Sequence, residues 1–212
     1  KRGTTALGMV YKDGVLLGIE KNVASRLLKG ESIEKIFKLD EHIAAATSGL
    51  VADARKLVDD ARVKCQQERY TYGQPVMVET LTKSVCDLKQ AYTQYGGVRP
   101  FGAALLITGV DDTGKHLFET DPSGAMNEWQ AAAIGAGKKE VEALLESKYR
   151  PDLTFDEAVV LALEALGQVG GKKDTPETVD VSFVSEKDKA YAELGKDRLE
   201  EYFKRVKQPK KQ

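Results

Sequence analysis

The sequence predicts an α+β domain whose strands and helices come in blocks. The order read from the residues is strands, two helices, strands, two helices, a strand and a last helix, without the strand–helix alternation of a doubly wound sheet. An Asp13-Gly14 pair between two β-prone runs signals a hairpin. Val78, Leu81, Val85, Leu88, Tyr92 and Tyr95 recur at three- and four-residue spacing, the stripe of a helix with one buried face. At 212 residues, 42% hydrophobic and 31% charged, residues 1–212 read as one domain.

The elements follow in order. Thr4 to Val10 and Val15 to Glu20 are strands joined by the hairpin, and Asn22 to Gly30 is a polar loop. Ser32 to Asp53 reads as two short strands running into a long helix. Ile33, Lys35, Phe37 and Leu39 share one face of the first strand. Ala44, Ala45 and Ala46 suggest a second strand buried on both faces. Thr47 and Ser48 are candidate caps for a helix from about Leu50 to Arg69, with Val51, Ala54, Leu57, Val58, Ala61 and Cys65 inward. Tyr70 to Pro75 ends it. The striped helix comes next and stops at Gly96-Gly97.

In the second half, Phe101 to Val110 and His116 to Thr120 are strands around a turn. Asp121-Pro122-Ser123-Gly124 is another turn, and Met126 to Ile134 is one further strand. Gly135-Ala136-Gly137 releases the chain into a third helix. Thr154 and Glu157 form a capping box for a fourth helix that reaches about Val169. A charged loop covers Gly170 to Thr178, Val179 to Val184 is the last strand, and Asp197 to Val206 the last helix. The basic stretch from Lys204 to Gln212 reads as a flexible tail.

Composition excludes several functions. The net charge of −1 gives no global electrostatic case for nucleic acid. No apolar run approaches a membrane span. Two cysteines form no disulfide framework, so reduced thiols and an intracellular, cytoplasmic setting are expected. With His42 and His116 the only histidines, a metal site or a Ser-His-Asp triad is poorly supported. No Walker loop or dinucleotide fingerprint occurs, and no cofactor is expected. Gly135-Ala136-Gly137 could hold an anion at a helix start, but also suits a tight strand-to-helix turn.

One constellation remains. Lys35 is a cation on an otherwise apolar strand face. Either its stem lies on apolar surface with the ammonium in water, or it meets an anionic partner. Thr4, Glu20 and Lys35 together could also build an N-terminal threonine nucleophile, with lysine tuning the pKa and a carboxylate holding the lysine, if the chain were cut before Thr4. Thr4 and Thr5 could equally be ordinary β-formers.

Longer runs then carry a resemblance. Gly3-Thr4-Thr5-Ala6-Leu7-Gly8, Ile33-Glu34-Lys35-Ile36, Thr47 to Arg55 (Thr-Ser-Gly-Leu-Val-Ala-Asp-Ala-Arg) and Gln94 to Pro100 (Gln-Tyr-Gly-Gly-Val-Arg-Pro) resemble the α-type subunits of the 20S proteasome core, of archaeal kind. The resemblance implies the Ntn-hydrolase architecture, a four-layer αββα sandwich of two antiparallel sheets between helices. It implies heptameric α rings that scaffold the β rings, control substrate admission and dock an activator ATPase, in the degradation of unfolded polypeptides. It also implies a further N-terminal segment, a gate tail and a first helix, ahead of the strand that opens this sequence.

Within that resemblance, Thr4, Glu20 and Lys35 match the nucleophile, carboxylate and lysine of catalytic β-type subunits. Two supporting elements depart: Ala136 stands where active subunits have serine, and Asp174-Thr175-Pro176-Glu177-Thr178-Val179 stands where they have Asp-x-x-Ser-Gly-Gly, keeping the aspartate but not the serine and glycines. A catalytically silent α-type subunit is therefore expected, with a β-type threonine peptidase and an independent binding module as alternatives. The resemblance assigns Lys35 to a pocket that takes the C-terminal carboxylate of an activator tail, with Gly3 and Leu50 beside it.

Overall fold

The computed structural model describes residues 3–21, 34–169 and 175–206. Ten strands and five helices are present among them. One sheet has the order β10-β9-β2-β1-β8, built from β1 (Ala6–Tyr11), β2 (Gly14–Glu20), β8 (Ala131–Ile134), β9 (Val179–Ser185) and β10 (Tyr191–Glu193). The other runs β3-β4-β5-β6-β7, from β3 (Ile36–Asp40), β4 (Ile43–Gly49), β5 (Ala103–Asp111), β6 (Gly114–Thr120) and β7 (Met126–Glu128). The pairings along both sheets are antiparallel.

Three apolar clusters make the four layers. Helices α3 (Lys138–Lys148), α4 (Phe155–Leu166) and α5 (Lys196–Val206) cover the first sheet, meeting Leu7, Met9 and Leu16. Helices α1 (Val51–Tyr72) and α2 (Val78–Gln94) cover the second through Phe37, Ala45 and Leu105. Between the sheets lie Ala6, Val10, Leu17, Ile36, Ala46 and Leu106. Alternate residues of β1 thus serve two different clusters, which is why the strand reads as continuously apolar: both of its faces are buried. The α+β sandwich expected from the sequence is the observed one.

Several local expectations are corrected. Thr47 and Ser48 do not cap α1. Both lie in β4, and the N-cap is Leu50, which makes no side-chain cap bond. The sheet ladder claims them first: Thr47 N–H donates to Lys35 O at 3.1 Å, and Ser48 Oγ donates to Thr4 O at 2.9 Å. Helix α1 continues through Tyr72 and ends at Gly73 in the left-handed region. Met126 to Ile134 is two strands, because the chain leaves one sheet for the other at Trp129-Gln130. Helix α4 ends at Leu166, and β10 is an additional strand. The hairpin loop is Lys12-Asp13, with Gly14 already paired to Tyr11. Lys204 to Val206 belong to α5, where Arg205 meets Asp156 at 3.0 Å. Lys207 to Gln212, like Asn22 to Ile33 and Gly170 to Asp174, lie outside the described residues.

Candidate functional site

Lys35 lies just before β3, held on the ladder by the Thr47 bond. Its Nζ donates to Thr4 Oγ1 at 2.6 Å, joining the start of one sheet to the start of the other. No ion pair within 4.0 Å includes Lys35 among the described residues. Burial lowers the lysine's pKa from its ordinary value by penalising the charged form.

The lysine stands between two cavities. One, of about 340 Å³, opens between the sheets beside Lys21, Asp180, Ser182 and Tyr191. The other, of about 220 Å³, is lined by Glu34, Lys35, Phe37, Thr47, Gly49, Val51, Ala54 and Arg55. Val51 is the first residue of α1, whose leading amides lack a side-chain cap. That cavity therefore gathers an ammonium, a guanidinium and the positive end of a helix dipole, with the Glu34 carboxylate on its rim. The nearby Asp53 carboxylate does not neutralise them. It is held by Arg99 at 2.7 Å through both oxygens and by Gly102 N–H at 2.7 Å, and Arg99 keeps its pKa below the ordinary aspartate value. Such a cavity suits one small anion with an apolar stem.

Gly3 and Leu50 flank this site without lining the cavity. A Cβ at Gly3 would lie 2.2 Å from Ser48 Oγ and 2.6 Å from Gly49 N, so only glycine lets the strand start press so closely on the end of β4. Leu50 is 52% exposed beside Val51, and its N–H donates to Gly102 O at 2.9 Å. Arg55 was not singled out from the sequence. Its signal is present: it stands four residues after Val51, on the same helix face.

Thr4 is in peptide linkage to Gly3, so its nitrogen is no free amine. Gly3 O accepts from Ala136 N–H at 3.1 Å, and Gly137 N–H donates to Thr5 Oγ1 at 3.0 Å. The Gly135-Ala136-Gly137 turn thus binds the strand start and opens α3. Among the described residues, no group of three or more His, Cys, Asp or Glu side chains is placed to hold a metal ion. No helix of the described residues is long and apolar enough to cross a membrane.

The sequence profile of the family described as "Proteasome subunit" matches residues 1–184. The chain belongs to the proteasome subunit family. The family's relatives include proteins named "Proteasome subunit alpha". That of Methanosarcina acetivorans is 53% identical over 206 residues, covering 97% of this chain and 83% of the relative. Those of Methanopyrus kandleri and Pyrococcus abyssi are 52% and 51% identical over the same length, with 83% and 78% of each relative covered.

Proposed function

We propose that this chain is a non-catalytic α-type subunit of the 20S proteasome core, working in the cytoplasm within a threonine-type protease complex. In this reading it forms heptameric outer rings that scaffold β rings, control the admission of unfolded polypeptides and dock the C-terminal tail of an activator ATPase. Lys35 receives the tail carboxylate, with Gly3 shaping the strand start and Leu50 offering apolar surface. The observation that carries the docking role is the desolvated Lys35 ammonium, without an ion-pair partner among the described residues, facing a cavity at the uncapped start of α1. The relatives' shared name supports the α type.

A second reading, a β-type threonine peptidase, is favoured by one contact, Lys35 Nζ to Thr4 Oγ1 at 2.6 Å. It needs Thr4 freed from Gly3 and lacks a serine at Ala136. Native mass spectrometry and peptide hydrolysis, with and without a β-type partner, separate the two. The α reading predicts rings of about 160 kDa or their stacks, given cyclic closure of 23.2 kDa copies, and hydrolysis only when the partner is present. Hydrolysis by this chain alone, abolished by Thr4→Ala, would establish the second.

A further inference from the structure

Thr4 is half-buried, and its backbone is fixed from three sides. Its carbonyl oxygen accepts from Ser48 Oγ at 2.9 Å, near the end of β4. Gly3 O, just before it, accepts from Ala136 N–H at 3.1 Å. Thr5, just after it, accepts from Gly137 N–H at 3.0 Å on Oγ1 and from Glu20 N–H at 3.1 Å on its carbonyl. The segment is thus bound to the second sheet, to the 135–137 turn and to β2 at once. A β-branched side chain on so fixed a backbone has little χ1 freedom. Thr4 Oγ1 is therefore a stationary acceptor, and Lys35 Nζ donates to it at 2.6 Å.

Lys35, by contrast, reaches that contact on a flexible four-carbon stem, and it lines both cavities. The two differ in charge. The smaller sets Arg55 and the uncapped start of α1 against Glu34. The larger carries three carboxylates, those of Glu34, Asp180 and Glu193, with Lys21 as its other cation. Asp180 pairs with Lys21 at 2.6 Å and Glu193 accepts from Tyr191 Oη at 2.7 Å, but an ionised carboxylate accepts several donors. An unheld ammonium would be drawn toward the larger cavity and repelled by the guanidinium in the smaller one.

We propose that Thr4 is a positioning residue of the docking site: its hydroxyl holds the Lys35 ammonium at the smaller cavity, against the carboxylates of the larger one, and presets it for a tail carboxylate. The inference rests on the docking reading above. It gives the hydroxyl a task that needs no freed amine, since Thr4 aims the lysine and attacks nothing. A receptor ordered before the tail arrives loses less freedom on binding.

The test uses assembled particles of the full chain with the β-type partner, and one activator-tail peptide made with a free C-terminal carboxylate and again as the carboxamide. Fluorescence anisotropy reads the affinity of each. Thr4→Val keeps the shape and removes the hydroxyl. It is expected to lower the affinity of the carboxylate peptide about tenfold or more, as loss of a hydrogen bond to a charged group does, and to leave that of the carboxamide unchanged. Thr4→Ser keeps the hydroxyl and is expected to retain most of the affinity. Thr4→Val added to Lys35→Ala is expected to change nothing further, because the hydroxyl acts only through the lysine. Wild-type affinity in Thr4→Val, an equal loss for both peptides, or a further loss on top of Lys35→Ala would overturn the role of Thr4 while leaving docking at Lys35 intact. So would a Thr4→Ser variant as weak as Thr4→Val. Thr4→Ala decides the matter if Thr4→Val does not assemble. Lys35→Ala particles that bind the carboxylate peptide as wild type does would overturn the docking reading, and the role of Thr4 with it.

Discussion

Lys35 Nζ and Thr4 Oγ1 lie 2.6 Å apart, one residue before β3 and two before β1, so a single hydrogen bond ties the leading ends of both sheets. A neutral hydroxyl satisfies only part of a desolvated ammonium. Lys35 and Arg55 both line the smaller cavity beside it. Docking of a carboxylate there requires the protonated lysine, whose pKa burial lowers. Tail affinity is therefore predicted to fall on raising the pH toward the lowered lysine pKa, before the ordinary lysine value of 10.5 is reached. Titrating the binding of a tail peptide against pH checks this, and Lys35→Arg should move the loss to higher pH.

Gly135 fixes the turn on which Gly3 and Thr4 rest. Its φ of +98° suits glycine, and a Cβ there would lie 2.2 Å from Thr4 O. Gly135→Ala should cost more than about 4 kcal/mol, combining backbone strain with a backbone clash. Loss of the cooperative thermal transition, or a melting temperature lowered by well over 8 °C, is the expected result.

Asp53 holds the segment from Arg99 to Gly102 at the start of α1. Asp53→Ala is predicted to destabilise by about 1–3 kcal/mol, because the Gly102 amide loses its acceptor. The Asp53 pKa is lowered, chiefly by the Arg99 hydrogen bond. Its contribution is therefore present above the ordinary aspartate value of 3.8 and lost as pH falls through the lower folded value. Denaturation of wild type and Asp53→Asn between pH 5 and pH 2 should converge at the acid end.

Lys89 is a fully buried lysine on α2, donating to Ala103 O, Thr120 Oγ1 and Asp121 O at 3.0, 2.8 and 3.1 Å. Burial pushes its pKa down to about 8 from 10.5. Between those values the unfolded chain holds a proton that the folded chain has released, so this group makes stability rise with pH across that window. The thiols of Cys65 and Cys86, pushed up by burial to about 12 and 11, act in the opposite sense above 9.0. The comparison is thus between wild type and Lys89→Met. The difference in their unfolding free energies should change by up to about 3 kcal/mol from pH 8 to pH 10.5, in the direction of relative gain for the wild type.

Much of this fold was legible because its local signals are clean. The Val78-to-Tyr95 stripe places α2, with Val78, Leu81 and Val85 buried, although Tyr95 falls just past the helix end and is exposed, and the Thr154–Glu157 box starts α4 as read. What escaped was local competition. Thr47 and Ser48 have capping chemistry, but their groups serve the ladder and Thr4. The β7–β8 crossover hides in one β-prone run because both pieces are extended, and three-residue β10 is too short to leave a pattern. At the site, Lys35 stood out as a charge on an apolar face. Arg55 did not, since an arginine on an exposed helix face is ordinary until the β3 edge is brought beside it.

The most direct test of the central claim is peptide hydrolysis by assembled particles, with and without an activator tail peptide, for wild type and Lys35→Ala. The account predicts that Lys35→Ala leaves basal hydrolysis in place and abolishes its stimulation by the tail. Stimulation undiminished in Lys35→Ala would contradict the assignment of Lys35 as the carboxylate receptor.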